Sequence, residues 1–150
     1  EDKPCTVKKS TVRNELSEGT QGVLADESPY DFNIETNGTI IPSFHRDNVW
    51  FTYDYKTPSS LAEESMDLDI FKVSTRQDLI KFVVGSVEDL DCMRRIINEH
   101  PTKAQIYVSP VWGKIEAASI IDYMKTYNLQ NVRFQLQIHK FVWDPDAKGV

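Results

Sequence analysis

From about residue 30 onward, short apolar runs alternate with longer stretches in which apolar residues recur at helical spacing. Phe32 and Ile34 alternate with polar neighbours, which predicts a strand that ends at the turn-forming pair Asn37-Gly38. The later apolar runs are short and bounded by turn residues, a pattern typical of buried strands. They predict four further strands, over residues 49–53, 79–84, 104–108 and 132–138.

Two segments between these strands show helical periodicity. Ser86 begins the first, and Asp89 three positions later can cap back to it, as in a capping box. The residues expected on the buried face of this helix are Val87, Leu90, Met93 and Ile97. The second helix is predicted from about Lys114 to Tyr127, with Asn128 as its stop signal. Its expected buried residues are Ile115, Ala118, Ile121 and Met124.

The alternation of strands and helices predicts an α/β fold, with a parallel sheet built from βαβ units. This unit is expected to cover residues 31–150. Residues 1–30 carry prolines, glycines and many charges, and we expect a poorly organised leader there. Within it, only Cys5-Thr6-Val7 and Val23-Leu24-Ala25 have the character of short strands.

Composition and charge narrow the function classes. The net charge of −6 argues against nucleic-acid binding, because an acidic protein does not attract a phosphate backbone. No apolar run has the length of a membrane span. Two cysteines far apart in the sequence, Cys5 and Cys92, suit a reducing cytoplasm better than a disulfide-stapled fold. The histidines are scattered without metal-ligand spacing, so no metal site is assigned.

Polar clusters follow several of the predicted strands. In α/β sheets the carboxyl ends of the strands meet at one edge, where ligands bind. Each cluster also has a purely structural explanation, as a turn, a solvated strand end or a satisfied histidine. The clusters are Glu35-Thr36-Asn37, Asp54-Tyr55-Lys56, Ser109-Pro110 and Gln137-Ile138-His139-Lys140. In the last, Gln135, Gln137 and His139 would share one face of the fifth strand, and polar side chains on one face there indicate a ligand pocket.

Several of these motifs resemble the C-terminal part of the 7-carboxy-7-deazaguanine synthases, which belong to the radical S-adenosylmethionine enzymes. The resemblance covers roughly four fifths of the chain, from about Asp31 onward, and is greatest to clostridial-type members. It implies a partial, incomplete TIM-like barrel of the radical S-adenosylmethionine type. The segments that carry it are Glu35-Thr36-Asn37-Gly38-Thr39, Lys81-Phe82-Val83-Val84-Gly85-Ser86, Tyr107-Val108-Ser109-Pro110-Val111-Trp112-Gly113-Lys114, Gln137-Ile138-His139-Lys140 and Trp143-Asp144-Pro145.

The resemblance also implies roles for individual residues, with no catalytic residue assigned. The pterin substrate would be bound by Glu35, Gln137, His139 and the terminal carboxylate of Val150. S-adenosylmethionine would be bound by Thr36, Asn37, Asp54, Lys56 and Ser109. Phe141-Val142-Trp143 would form a wall of the pocket.

The family converts 6-carboxy-5,6,7,8-tetrahydropterin to 7-carboxy-7-deazaguanine in queuosine biosynthesis, using S-adenosylmethionine, a [4Fe-4S] cluster and Mg²⁺. Its members imply a cytoplasmic homodimer. The chain nevertheless contains neither a Cys-x-x-x-Cys-x-x-Cys motif nor the Gly-Gly-Glu-Pro segment of the family, so we expect no cluster on it and no activity as it stands. Three interpretations stay open: a fragment or altered form of the synthase, a non-catalytic pterin- or nucleoside-binding module, and a plain α/β scaffold.

Overall fold

The computed structural model describes residues 6–7 and 29–147, and these form one six-stranded sheet in the order β1-β2-β3-β4-β5-β6. Strands β2 to β6 are parallel, and β1 pairs with β2 in the antiparallel sense. The α/β prediction is therefore confirmed. The strands are β1 (Thr6–Val7), β2 (Phe32–Thr36), β3 (Val49–Tyr55), β4 (Leu79–Val84), β5 (Gln105–Pro110) and β6 (Val132–Phe134).

Helices connect the later parallel strands, and every parallel strand pairs with its neighbour in the sequence. This consecutive order is that of an α/β barrel, whereas a doubly wound sheet reverses its order at a switch point. The sheet is open, so the chain forms part of a barrel. The helices are α1 (Ile70–Val73), α2 (Val87–Glu99), α3 (Ala117–Thr126) and α4 (His139–Val142), and two short 3₁₀ turns cover Pro58–Ser60 and Glu63–Ser65.

The edge of the sheet at β2 is partly covered by β1. Thr6 lies opposite Glu35 and Val7 lies opposite Ile34. The short strand expected at the start of the chain is therefore present, while the one expected at 23–25 lies outside the described residues. Pairing over two residues leaves most of the β2 edge to other contacts.

One face of the sheet is covered by helices and holds the core. Along β2 and β4 every second side chain is buried, as the two-residue period of a strand requires. The largest fully buried side chains belong to this layer and to the helices above it: Phe51, Tyr53, Ile70, Phe71, Phe82, Leu90, Met93 and Ile120. Burial of these side chains is the main favourable term in folding.

The opposite face of the sheet is open and mostly polar. Asp54 of β3 lies opposite Lys81 of β4, Lys81 lies opposite Tyr107 of β5, and Tyr107 lies opposite Arg133 of β6. The Arg133 guanidinium donates to the Tyr107 hydroxyl at 3.1 Å. In a complete barrel this face lines the interior. Because this face is polar, the barrel interior would offer hydrogen-bonding groups to a ligand and would not be filled by an apolar core.

The two long helices are tied to each other at the surface. The Tyr123 hydroxyl of α3 donates to Asp91 of α2 at 2.5 Å, and the Arg94 Nε donates to the same hydroxyl at 2.9 Å. Burial, with the Asp91 carboxylate beside it, raises the pKa of Tyr123 to about 12. The hydroxyl therefore stays protonated and keeps donating over the whole physiological pH range.

The predicted helices differ from the observed ones in detail. In α2, Leu90, Met93 and Ile97 are buried as expected, but Val87 in the first turn is 54% exposed. In α3 the expectation that Ala118 is inward is wrong, because Ala118 is exposed and the fully buried residue is Ile120. The helix begins at Ala117 rather than Lys114, and of the other residues expected to be inward, Ile115 and Met124 pack against the core and Ile121 is half-buried. Asn128 adopts a left-handed conformation with φ of 52°, which confirms it as the stop.

The fifth predicted strand is too long. The observed strand β6 ends at Phe134, and His139 begins the helix α4, so Gln135, Gln137 and His139 do not share a strand face. The physical reason lies on the neighbouring strand. The Gln135 amide still donates to the Val108 carbonyl at 2.9 Å, but the next β5 residue facing β6 is Pro110, which has no N–H to donate.

At the amino end of the sheet, the Asp78 carboxylate joins three segments. It is 1% exposed and accepts hydrogen bonds from the Phe51 amide at 2.7 Å and the Thr75 amide at 2.6 Å. The Asp78 carbonyl accepts a third bond, from the Gln105 amide at 2.9 Å. One buried residue thus connects β3, the start of β4 and the start of β5.

We predict that Asp78→Ala strongly destabilises the protein, because it leaves buried amides without acceptors. The expected loss is about 1–3 kcal/mol of the free energy of unfolding, the range for a buried donor left without its partner. Urea denaturation measures it. Asp122→Ala, which removes an exposed carboxylate paired only with Lys125, serves as the control and should change stability little. Equal losses in the two variants would contradict the assignment.

Candidate functional site at the carboxyl edge of the sheet

The first of two neighbouring cavities lies where β3 and β4 end. It has a volume of about 250 Å³ and is lined mainly by the segment that follows β3. Asp54 and Lys56 both line it, so the structure brings together these two predicted cofactor-binding residues. The full lining is Asp54, Tyr55, Lys56, Thr57, Ser59, Ser60, Val83 and Val111.

Lys56 and Asp54 form an ion pair inside this cavity. The Lys56 Nζ lies 2.5 Å from the Asp54 Oδ2, and their side chains are 31% and 41% exposed. An ion pair open to solvent contributes little to stability, about 0–1 kcal/mol. A ligand carboxylate can therefore displace Asp54 from Lys56 at low cost, since the cation then keeps a charged partner.

The turn after β3 is anchored by a second buried carboxylate, that of Asp89 on α2. Asp89 is 0% exposed, and it accepts hydrogen bonds from the Gly85 amide at 2.7 Å and the Ser59 amide at 2.9 Å. The Ser86 hydroxyl accepts from the Asp89 amide at 3.3 Å, which confirms Ser86 as the helix cap. The Asp89 carboxylate, which the sequence predicts to cap back to Ser86, instead bonds to the amide of Gly85 and to that of Ser59 in the turn after β3.

The hydrogen bonds to Asp89 determine its charge state. Burial alone would raise the pKa of this carboxyl, but the hydrogen-bonding groups around it, the amides of Gly85 and Ser59 and the hydroxyls of Ser59 and Thr57, together hold the pKa below its ordinary value. Asp89 is therefore ionised at neutral pH. A carboxylate with a depressed pKa stabilises the fold above its ordinary pKa, and this contribution is lost as the pH falls through the folded-state value.

We predict that Asp89 contributes to the acid sensitivity of the protein. The difference in unfolding free energy between wild type and Asp89→Asn should be largest near neutral pH and should shrink as the pH falls below about 4, near the ordinary pKa of an aspartate. Urea denaturation at a series of pH values measures this difference. A difference that stays constant from pH 7 down to acid unfolding would refute the predicted ionisation.

The Glu35-Thr36-Asn37 cluster is divided by the alternation of the strand. Thr36 is buried on the helix-covered side, and its hydroxyl accepts from the Gly38 amide at 3.3 Å. Asn37 accepts from the amide and the hydroxyl of Thr39, at 3.3 and 2.9 Å. Both side chains thus shape the turn around Gly38, whose φ is +72°. Glu35, of opposite parity, belongs to the half-exposed face, and the ligand roles of all three stay predictions.

Ser109 lies at the carboxyl end of β5 and is fully buried. Within the described part of the chain its hydroxyl has no hydrogen-bond partner. It has the strand parity of Tyr107, which belongs to the open face. A buried hydroxyl without a partner costs about 1–3 kcal/mol. Ser109 lines neither of the two cavities described here, and its role in binding S-adenosylmethionine stays a prediction.

A second cavity of about 370 Å³ adjoins the first, because Val111 lines both. Gln137 lines it from the loop after β6, and Phe141 lines it from α4. The Phe141 ring stands edge-on to Trp112 with 4.7 Å between centroids. His139 and Trp143 are exposed and do not line this cavity, and Val150 lies outside the described residues. Of the predicted aromatic wall, only Phe141 takes part.

The thiol in the described residues does not fit a cluster ligand. Cys92 is buried in α2 and donates to the Glu63 carboxylate at 3.1 Å. Burial, with Glu63 beside it, raises the pKa of Cys92 to about 12, whereas an iron ligand must be a thiolate. Among the described residues no group of three or more His, Cys, Asp or Glu side chains is placed to hold a metal ion. In the same part of the chain, no helix has the length and apolar character to cross a bilayer.

The fold is that of a partial α/β barrel, with two cavities at the carboxyl edge of its strands. The chain is 37% identical to the 7-carboxy-7-deazaguanine synthase of Clostridium acetobutylicum over an alignment 160 positions long. The alignment covers 96% of this chain and 72% of that protein. The chain therefore belongs to the 7-carboxy-7-deazaguanine synthase family. The motifs in the sequence cover roughly four fifths of the chain, from about Asp31 onward. Since the alignment covers 96% of the chain, the similarity continues into residues 1–30. A comparison with models of protein families finds no match.

Two other synthases match a smaller part of the chain. The 7-carboxy-7-deazaguanine synthase of Methanospirillum hungatei is 37% identical over 113 residues, or 75% of this chain and 47% of that protein. That of Leptospira interrogans is 33% identical over 122 residues, or 78% of this chain and 50% of that protein. The chain thus spans about half the length of these two relatives.

Proposed function

We propose that this chain provides the pterin- and nucleoside-binding part of a 7-carboxy-7-deazaguanine synthase. The observation that carries the proposal is the pair of adjoining cavities at the carboxyl edge, one lined by Asp54 and Lys56 and the other by Gln137. The identity to named synthases supports it. The reaction would be the conversion of 6-carboxy-5,6,7,8-tetrahydropterin to 7-carboxy-7-deazaguanine in queuosine biosynthesis.

The residues fit S-adenosylmethionine in the first cavity. Lys56 offers a cation to the carboxylate of the methionine moiety, and the unsatisfied Ser109 hydroxyl lies at the same edge of the sheet. Gln137 offers both a donor and an acceptor to the pyrimidine edge of a pterin in the second cavity. In this family S-adenosylmethionine supplies radical chemistry when it is bound beside a reduced cluster.

The two cysteines do not fit a [4Fe-4S] cluster, and among the described residues no group of three or more His, Cys, Asp or Glu side chains is placed to hold the Mg²⁺ of the family. The chain has two cysteines, and Cys92 is held protonated by burial and by Glu63. The cluster thiolates would have to come from outside these 150 residues. This observation favours a second candidate function, a non-catalytic module that binds a pterin or a nucleoside. The two candidates share the binding site and differ in whether a cluster-bearing segment completes it.

The family assignment further implies a homodimer in the cytoplasm. In the described part of the chain, β6 is the last strand of the sheet, and large apolar side chains after it are exposed at Ile138, Phe141 and Trp143. Exposed strand edges and apolar side chains are both features that association covers. These observations support the dimer as part of the proposal.

We predict that the two cavities bind different ligands. Lys56→Ala should weaken S-adenosylmethionine binding about tenfold, the effect of losing one charged hydrogen bond, and should leave pterin binding unchanged. Gln137→Ala should weaken binding of 6-carboxy-5,6,7,8-tetrahydropterin by a similar factor and leave S-adenosylmethionine unaffected. Anaerobic calorimetric titration measures both affinities.

The matched control for these titrations is Lys72→Ala. Lys72 is an exposed lysine of α1, and its ion-pair partner is Asp69, the residue before the helix. It should change neither affinity. If the wild-type protein binds neither ligand, the proposed function fails, and the plain scaffold is the better interpretation. If it binds both ligands and the two cavity variants have no effect, the placement of the site fails.

A further prediction concerns iron. Anaerobic incubation with iron and sulfide should leave the chain without a stoichiometric four-iron cluster, because too few thiolates are present. Iron analysis and visible absorbance measure the outcome, and Cys92→Ser should give the same result as wild type. About four irons per chain, lost in Cys92→Ser, would show that the buried thiol becomes a ligand and would overturn this prediction.

A further inference from the structure

The first cavity has a wall that the hydrophobic core does not hold in place. Ser59 and Ser60 line it from the 3₁₀ turn after β3, and both are exposed. No residue of that turn is buried. Its position therefore depends on hydrogen bonds rather than on packing, and an exposed turn held only by local bonds would open readily.

Two hydrogen bonds tie this turn to the neighbouring strand and its helix. The buried Thr57 hydroxyl donates to the Val83 carbonyl at 3.2 Å. The Ser59 amide donates to Asp89 at 2.9 Å, and the second oxygen of the same carboxylate accepts from the Gly85 amide at 2.7 Å. Asp89 thus bridges the turn after β3, which lines the cavity, and the turn after β4, the strand that contributes Val83 to the lining.

The turn also shows the strain of an imposed conformation. Leu61 follows it with φ of 56°, in the left-handed region, and its side chain is 95% exposed. A leucine rarely adopts this conformation, which costs about 1–3 kcal/mol and persists only where surrounding contacts impose it. The Leu61 amide donates to the Pro58 carbonyl at 3.0 Å, so this left-handed residue closes the same turn that Ser59 ties to Asp89.

We propose that Asp89 is a positioning residue of the first cavity, whose carboxylate holds the Pro58–Ser60 turn in the place required for ligand binding. The proposal rests on the proposed function for the identity of the ligand, for which S-adenosylmethionine is the probe. Asp89 does not line the cavity and touches no ligand there. It acts through Ser59, and its depressed pKa keeps both acceptor oxygens available at neutral pH.

Asparagine is the informative substitution because it keeps the size of the side chain and removes one acceptor. Both oxygens of Asp89 accept backbone N–H groups, so Asp89→Asn places an amide NH₂ against the Gly85 or the Ser59 amide. Two control variants separate positioning from stability. Asp91→Asn changes an exposed carboxylate on the same helix, and Asp78→Asn changes a buried one at the opposite end of β4.

The experiment is calorimetric titration of S-adenosylmethionine into the four proteins, at a temperature where thermal melts show all of them folded. We expect Asp89→Asn to raise the dissociation constant about tenfold or more, the effect of misplacing at least one ligand hydrogen bond. Asp78→Asn should lower the melting temperature at least as much while leaving the dissociation constant unchanged. Asp91→Asn should leave the dissociation constant unchanged.

The outcomes separate the two hypotheses. If wild type binds S-adenosylmethionine and Asp89→Asn binds it equally well, the role of Asp89 fails and the proposed function stands. If wild type does not bind it, the proposed function fails, and the role of Asp89 fails with it. If Asp78→Asn weakens binding as much as Asp89→Asn, the effect is general destabilisation and the positioning role is wrong.

A second measurement decides the case in which Asp89→Asn does not fold. Hydrogen exchange of the wild-type protein should show the Ser59 amide protected, although the residue is exposed, because the amide is bonded to a buried carboxylate. The Ala62 amide, bonded at 3.4 Å to the exposed Ser60 hydroxyl, is the internal comparison and should exchange faster. Equal exchange at the two amides would overturn the proposal.

Discussion

Two buried carboxylates, one at each end of the central strand β4, determine how this sheet is held together. Each accepts backbone N–H groups from neighbouring segments: Asp78 from Phe51 and Thr75, and Asp89 from Gly85 and Ser59. A buried charge is tolerated only where hydrogen bonds replace its hydration. The chain therefore cannot shift these segments without leaving a charge unsatisfied, which makes both ends of β4 rigid for the same physical reason.

The two carboxylates differ in what they hold. Asp78 joins core strands at the amino edge, where an α/β barrel places residues that serve stability. Asp89 anchors an exposed turn at the carboxyl edge, where the cavities lie. The same interaction thus stabilises the sheet at one edge and orders a candidate binding wall at the other. This division explains why two aspartates of similar burial are expected to differ in their effect on ligand affinity.

Much of the fold follows from the hydrophobic pattern, but the site follows only in part. The two-residue alternation at Phe32 and Ile34 and the capping signal at Ser86 have direct physical consequences, and β2 and α2 form where they are predicted. The alternation also means that Glu35 and Thr36 face opposite sides of the sheet. The sequence already contains this signal, and the prediction that both residues bind ligands from one cluster overlooks it.

The remaining differences arise from interactions between segments, which no local pattern contains. The early end of β6 depends on Pro110 of the neighbouring strand, so it becomes visible only once the pairing of β5 with β6 is known. The bonds of Asp78 and Asp89 depend on amides that lie 27 and 30 residues away, at Phe51 and Ser59. From the sequence alone, each aspartate is interpreted as an ordinary turn or cap residue, because the amides that it binds are distant in the chain.

Under the proposed function, ligand binding and cluster binding are separable properties in this fold. In an α/β barrel each strand contributes its own residues to the carboxyl edge, so a site is assembled from independent pieces. The pieces described here, after β3, β5 and β6, bear an ion pair, an unsatisfied hydroxyl and an amide, which are groups that recognise polar organic ligands. The thiol of Cys92 lies instead in a helix, protonated and bonded to Glu63. On this proposal, recognition of a ligand depends on groups that need no metal centre to hold them, whereas radical chemistry would depend on cluster thiolates, a role that the protonated thiol of Cys92 does not suit.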